Sequence, residues 1–281
     1  MTIKNQLKTV ILIGILTGIL LVMGRLLGGN LGMTVALVFS LGFNFLIYWY
    51  SDKIALWIYR AKPADGKEYK ELHKMVEDIT ILARVPKPKV YIIPSEQPNA
   101  FATGRNPSNA SVAFTQGILK LLDKNELRGV TAHEISHVKN RDVLITTIAA
   151  AIAGVISYIG AMTRWSAIFG SNDDSGRNNI ISLLIIGILT PIVAMIIQLA
   201  ISRSREYIAD ESGAKTIKDP LSLASALEKL ESGSKVPMKL GSEATSSLFI
   251  VNPFRGSAML SLLSTHPPMN ERVKRLKQMR V

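Results

Sequence analysis

No cysteine occurs anywhere in the 281 residues. Disulfides are therefore excluded, and so is any zinc site built on thiolates; a metal bound by this chain must be held by imidazole and carboxylate. Histidine is nearly as scarce, with four in all. Aromatic residues make up only 6% of the chain although 48% of it is hydrophobic, and the mean hydropathy is +0.25. So much aliphatic content is too greasy for an ordinary soluble domain and fits a polytopic membrane protein with a substantial aqueous part. Internal repeats and low-complexity tracts are missing as well. The formal charge of +12 raises the question of nucleic acid, but no aromatic-basic RNA-binding motif or zinc-finger spacing accompanies it. Nucleic acid is not an expected partner, because basic residues flanking apolar segments already serve topology and contact with anionic lipid.

Four segments are long enough to span a bilayer: Thr9–Leu27, Leu31–Tyr50, Val143–Met162 and Ile180–Ile201. Lys4 and Lys8 precede the first, as in a signal peptide, yet no small-residue cleavage pattern follows and a second apolar run begins within a few residues. That segment is expected to be retained. The N-terminus, the long stretch 51–142 and the tail 202–281 are rich in Lys and Arg, whereas the connections near Arg25–Asn30 and Thr163–Asn179 carry only Arg25, Arg164 and Arg177. The positive-inside rule then puts both termini and the long stretch in the cytoplasm. The expected divisions are a two-helix anchor (1–50), a cytoplasmic segment (51–142), a transmembrane hairpin (143–201) and a second cytoplasmic segment (202–281).

Thr-Ala-His-Glu-Ile-Ser-His at 131–137 runs almost directly into the third apolar segment. On a helix, His133 and His137 lie one turn apart on one face and can reach one metal ion. Glu134 stands beside them, where a carboxylate can take a proton from metal-bound water. Asp123-Lys-Asn-Glu126 is a capping signal that starts such a helix near Lys124. Two solvated histidines and an exposed glutamate are the plain alternative, opposed by the use of half of the chain's histidines in this one motif.

Elsewhere, Glu68–Leu82 has helical spacing, with His73 on its outer face as a surface residue. Lys89–Ile93, Asn99–Ala102 and Ser111–Thr115 read as strands, the last two separated by the turn formers of Gly104–Asn109. Their edges either pack in a core or accept an extended peptide as an added strand. Arg60–Gly66 reads as a bend and 232–255 as a loop. Helices are expected near Leu221–Leu230 and Gly256–Ser264, and a basic amphipathic helix closes the chain at Met269–Met279.

A catalytic zinc takes three protein ligands and leaves a position for water. Glu206 is the candidate third ligand. It follows the fourth apolar segment as the motif precedes the third, and about six helical residues, or about 9 Å, separate His137 from Val143. If the two segments form an antiparallel hairpin, His133, His137 and Glu206 stand at one height. Asp210, a turn beyond Glu206, can accept the second ring N–H of a ligand histidine. The competing description is a pair of surface acids beside Arg203 and Arg205.

With His133-Glu-x-x-His137, Glu206-x-x-x-Asp210 followed by Gly213-Ala214, Asn99-Ala-Phe-Ala102 and His266-Pro-Pro in hand, the chain resembles, over essentially its whole length, the HtpX family of membrane zinc metalloproteases. These are relatives of the CaaX prenyl endopeptidases within the gluzincin class. The resemblance implies a mainly helical α+β fold, with four transmembrane helices and a cytoplasmic gluzincin-like domain carrying a small β-sheet. It implies one Zn2+ held by His133, His137 and Glu206, with Asp210 as the partner of His133. Glu134 would be general base and then proton donor to the leaving amine. Asn99, Ala100 and Phe101 would line the edge that holds substrate. His266 would be a donor to the tetrahedral oxyanion or a structural part of its turn. The resemblance also implies substrates among misfolded or damaged membrane proteins, cut in their cytoplasmic parts at a bacterial inner membrane.

Two rivals remain from residues alone. A site-2-type protease would bury its motif within a span, but Lys124, Glu126, Arg128, Lys139, Arg141 and Asp142 make this helix too polar for lipid. An inactive metal-binding scaffold would lack a base or a ligand, and neither is missing.

Overall fold

The computed structural model describes residues 2–152, 203–233, 238, 240–241, 245, 248–251 and 267–281. The fourth expected span, the rest of the third beyond Ile152, the expected helix 256–264, the segment 163–179 and His266 lie outside the described residues.

Helix α1 (Thr2–Ile58) is broken at Gly28 and Gly29, where the backbone leaves helical geometry (φ −143° and 59°). Gly29 supplies a positive φ that side-chain-bearing residues resist. The chain doubles back there: Asn44 Nδ2 donates to Thr17 Oγ1 at 2.9 Å, and Leu16 and Ile47 share a cluster with Ile145, Ile148 and Ile152. That cluster packs α5 (Val143–Ile152) onto the hairpin. Among the described residues one helix, Gly28–Ile58, is long and apolar enough to cross a membrane, whereas Ile13–Val22 and Val143–Ile152 are shorter apolar helices.

Outside these apolar helices the described residues are mainly helical with one small mixed sheet. β1 (Lys62–Pro63), β2 (Lys89–Ile93), β3 (Ala100–Gly104) and β4 (Ala110–Thr115) lie in the order β1-β2-β4-β3. β2 and β4 are parallel, and the outer strands pair antiparallel to them. The expected bend at Arg60–Gly66 thus supplies a two-residue strand, and Pro63 is tolerated because that strand is an edge. Every residue of β3 and β4 is buried, because both faces are covered. Alternation sorts them: Ala100, Ala102, Val112 and Phe114 face one cluster, whereas Phe101 and Ala113 face another with Tyr59 and Phe249.

The larger cluster is the main core. Leu72, Met75, Val76 and Ile79 of α2 (Lys70–Ala83) enter it beside Val130 and Ile135 of α4 (Lys124–Asn140). Leu223, Leu227 and Leu230 of α7 (Pro220–Gly233) enter too, as do Val273 and Leu276 of α8 (Met269–Lys277). Short α3 (Gln116–Leu121) links β4 to α4. Helix α6 (Arg203–Ile217) lies against α4 so closely that a Cβ on Gly213 would come 2.9 Å from the His133 backbone nitrogen.

Candidate active site

Helix α4 begins with the capping box that its sequence announces. Asp123 accepts the backbone N–H groups of Asn125 and Glu126, and Glu126 Oε2 accepts the N–H of Asp123 at 3.0 Å. Glu126 also takes hydrogen bonds from Ser225 and Lys229 of α7, both 2.7 Å, which fixes the start of α4 to the core. The helix ends at Arg141, in the left-handed region (φ 56°). That turn brings Asp142 back beneath His137.

His133 and Glu134 are buried and His137 is largely so. The two histidine Nε2 atoms face each other at 3.1 Å. Glu206, from the first turn of α6, sets Oε2 3.7 Å from His133 Nε2 and Oε1 3.7 Å from His137 Nε2. Each imidazole has its other nitrogen against an acid: His133 Nδ1 is 2.9 Å from Asp210 Oδ1, and His137 Nδ1 is 3.2 Å from both oxygens of Asp142. A carboxylate at Nδ1 holds the proton there and leaves a lone pair on Nε2. Two lone pairs cannot face each other at 3.1 Å unless a proton or a metal ion lies between them.

The cluster therefore suits a metal. In a tetrahedral shell with bonds of about 2.0–2.1 Å, neighbouring ligand atoms stand ~3.3 Å apart; the 3.1 and 3.7 Å separations seen here bracket that value. His133, His137 and Glu206 are the group able to share one ion among the described residues. Neither His73, whose Nε2 is 3.1 Å from the Ala64 carbonyl oxygen, nor any other acid joins it.

Electrostatics agree with a cation hole. Burial is the largest influence on His137 and works against its charge, but Asp142, Glu206 and Glu134 together outweigh it, so its pKa is pushed up to about 10. Burial raises the pKa of Glu134 above the usual carboxylate range, with the neighbouring histidines only partly offsetting it. Asp210 is held below its ordinary value, because the attraction of Arg272 overcomes the cost of burial.

The strand edge meets another part of the chain. Asn99 Nδ2 donates to the Val251 carbonyl oxygen at 2.7 Å, the Ala100 carbonyl accepts the N–H of Ile250 at 3.4 Å, and Phe101 packs edge-on against Phe249. All three residues named from the sequence are thus engaged with the segment 249–251. The edge amide at the site is that of Ala102, which hydrogen-bonds to Glu134. Leu248, Phe249 and Ile250 wall a cleft of about 30 Å³ over His133, Glu134 and Glu206, which has room for a water or two. Sequence reasoning missed Ala102, Asp142, Arg272 and this wall. Asp142 alone carried a local signal, since a residue just past a helix C-terminus that turns left-handed folds back onto the last turn.

A helix presenting His-Glu-x-x-His to a glutamate on a second helix, beside a strand edge, defines a metallopeptidase. The chain belongs to peptidase family M48, whose family model matches residues 66–280. Among curated relatives it is 52% identical over 280 residues to the Protease HtpX homolog of Persephonella marina, covering 98% of this chain and 97% of that one. The homologue from Pyrococcus furiosus is 50% identical over 273 residues, covering 96% and 94%. The crystal structure of S. mikatae Ste24p superposes with a TM-score of 0.52 at 21% identity over 98% of this chain and 66% of that longer one. The protein is accordingly a membrane metalloprotease.

Proposed function

We propose that the chain is a zinc endopeptidase anchored by four membrane spans, which cuts cytoplasmic segments of misfolded or damaged membrane proteins at a bacterial inner membrane. The observation that carries the catalytic part is the convergence of His133, His137 and Glu206 on one point with Glu134 beside it. The four-part division at 50, 142 and 201 and the cytoplasmic orientation rest on apolar length and the distribution of Lys and Arg.

In this reading His133, His137 and Glu206 hold the ion, and Asp210 and Asp142 hold the two imidazoles in register. When bound, zinc supplies Lewis acidity to a water molecule and to the scissile carbonyl. Glu134 takes the proton of the attacking water as its oxygen bonds to the carbonyl carbon. It passes that proton to the amine nitrogen as the C–N bond breaks. Burial raises its pKa, which strengthens it as a base near neutral pH. A substrate strand adds to β3 at Ala102, whose amide faces Glu134, while Asn99, Ala100 and Phe101 hold the segment 249–251 that walls the cleft. The oxyanion role of His266 rests on family resemblance alone.

Zinc content and casein hydrolysis by detergent-purified wild type and Glu134→Gln test this. Zinc in both proteins, with turnover lowered by roughly 10²–10⁴ in the variant, supports it. Equal proteolysis by the variant overturns the role of Glu134. Zinc in both and hydrolysis by neither favours the inactive scaffold.

A further inference from the structure

β3 joins the candidate catalytic carboxylate to the level at which α1 leaves its apolar stretch, and the distance is short. The N–H of Ala102 meets Glu134. Two residues on, Gly104 N–H donates to Thr147 Oγ1 of α5 at 3.3 Å, and the Thr103 and Thr147 hydroxyls are 3.1 Å apart. The next residue, Arg105, lays its guanidinium 4.0 Å over the ring of Trp49. The turn that carries Arg105 is tight: Gly104 has a φ of +144°, and a Cβ there would meet the Asn109 carbonyl oxygen at 2.3 Å.

Trp49 belongs to a run, Tyr48-Trp49-Tyr50, exposed at 38–44%, and on the N-terminal side of it Leu31, Val35, Val38, Leu41 and Phe45 point outward, each at least 60% exposed. Such a face on a soluble protein would be an aggregation hazard; against lipid it is ordinary. Leu31 to Tyr50 rises about 29 Å at 1.5 Å per residue, the thickness of a hydrocarbon core of about 30 Å. The first charges follow at once, Asp52 and Lys53, with Lys53 Nζ 4.8 Å over the Tyr50 ring. Aromatic rings with cations reaching past them mark the boundary between lipid and water. Arg105 is at that boundary.

The geometry points to a height rule for substrates: the reacting bond lies no more than about 10 Å above the lipid boundary, three strand residues at about 3.3 Å each. The enzyme therefore selects chain that directly adjoins a membrane span. This deepens the peptidase assignment proposed above and rests on it. The far end of β3 agrees, because Ile250 on the Ala100 carbonyl and the Asn99 clasp on Val251 cover the edge on the side away from lipid. Toward the bilayer the next outward amide, that of Gly104, is held by Thr147, so Ala102 marks the level of the reaction. Allowing about 15 Å of lateral distance for a neighbouring span, the cut falls within roughly eight residues of its end.

The test uses full-length protein in phosphatidylcholine–phosphatidylglycerol vesicles. Co-reconstituted substrates carry one apolar span, a proline-rich spacer at about 3.1 Å per residue, and one casein-derived segment. Spacers of about three and about fifteen residues hold that segment near the surface or roughly 45 Å above it. At least a tenfold faster cut behind the short spacer, mapped by mass spectrometry to within about eight residues of the span, is the expected result. Equal rates, or a faster cut behind the long spacer, overturn the height rule while Glu134-dependent cleavage leaves the peptidase assignment standing. Equal cutting by Glu134→Gln overturns that assignment and the height rule with it.

Discussion

Arg272 grips Asp210 with two parallel hydrogen bonds, Nε to Oδ2 at 2.8 Å and Nη2 to Oδ1 at 2.7 Å, and is fully buried. Its remaining nitrogen, Nη1, donates to the Ile250 carbonyl oxygen at 3.1 Å and stands 3.5 Å from Glu206 Oε2. One guanidinium thus ties the acid beside His133, the candidate third ligand and the wall of the cleft. Attraction to Asp210, Glu206 and Glu134 outweighs burial and raises the Arg272 pKa, so the charge is permanent.

Replacing Arg272 with Met leaves the Asp210 carboxylate buried without its partner, at a cost of about 3–5 kcal/mol. Lysine should restore little, because it lacks the planar fork that meets both oxygens. Thermal unfolding in detergent measures this. A melting temperature equal to wild type in either variant would show that the pair is not structural.

Asp210 and Asp142 each stand against the Nδ1 of one histidine, Asp210 at His133 and Asp142 at His137. Converting either to Asn removes the acceptor that fixes the imidazole tautomer, and metal affinity should fall roughly 10–100-fold. Glu206→Ala should lose the metal outright. Competition with a chromogenic chelator reads both effects. Full zinc occupancy in Glu206→Ala would remove that residue from the ligand set.

How far the chain was legible differs from part to part. The motif helix and its capping box follow from local spacing, whereas Glu206 is placed by an assumed hairpin of the third and fourth apolar segments and Asp210 by its one-turn offset from Glu206. Helix periodicity and caps are properties of neighbouring residues, and α4 and α2 lie within a residue or two of expectation. Arg272 was invisible for the opposite reason. It sits in a basic helix that reads as a solvated face, 62 residues from the acid it grips, and nothing nearby in sequence distinguishes it from Lys274 or Arg275. The wall at 248–250 reads as loop because its order comes from Asn99 and Arg272 rather than from a repeat of its own. β3 and β4 hid their orientation because both faces are buried, which erases the polar alternation that a one-sided sheet writes into its sequence.

Metal uptake should depend on pH with a definite sign. Without a bound metal the His137 pKa is pushed up to about 10, so a proton occupies it at neutral pH and must leave before the imidazole can bind a metal. Apparent zinc affinity should therefore rise about tenfold per pH unit from about 7 toward 10 and level off above that. The same proton stabilises the metal-free fold below the unfolded value of about 6.5, and that contribution is lost as pH rises through the folded value. Isothermal titration in two buffers of different ionisation enthalpy counts the protons released. A count of zero at pH 8 would contradict a protonated His137.

Gly213 sets the distance between α6 and α4. A Cβ there would stand 2.9 Å from the His133 nitrogen and 3.1 Å from the Ala132 carbonyl oxygen, and backbone atoms inside a packed helix pair cannot swing aside as a side-chain end would. Gly213→Ala must push α6 outward by some tenths of an ångström, carrying Glu206 and Asp210 with it, since both are on that helix. Overpacking of this kind typically costs about 1–3 kcal/mol, which a core of this extent can survive. The separations that match a tetrahedral shell leave little slack, so zinc affinity should fall at least tenfold while the protein stays folded. A chelator titration run beside a thermal melt separates the two effects. Wild-type zinc affinity in a folded Gly213→Ala protein would mean that the close approach serves packing alone.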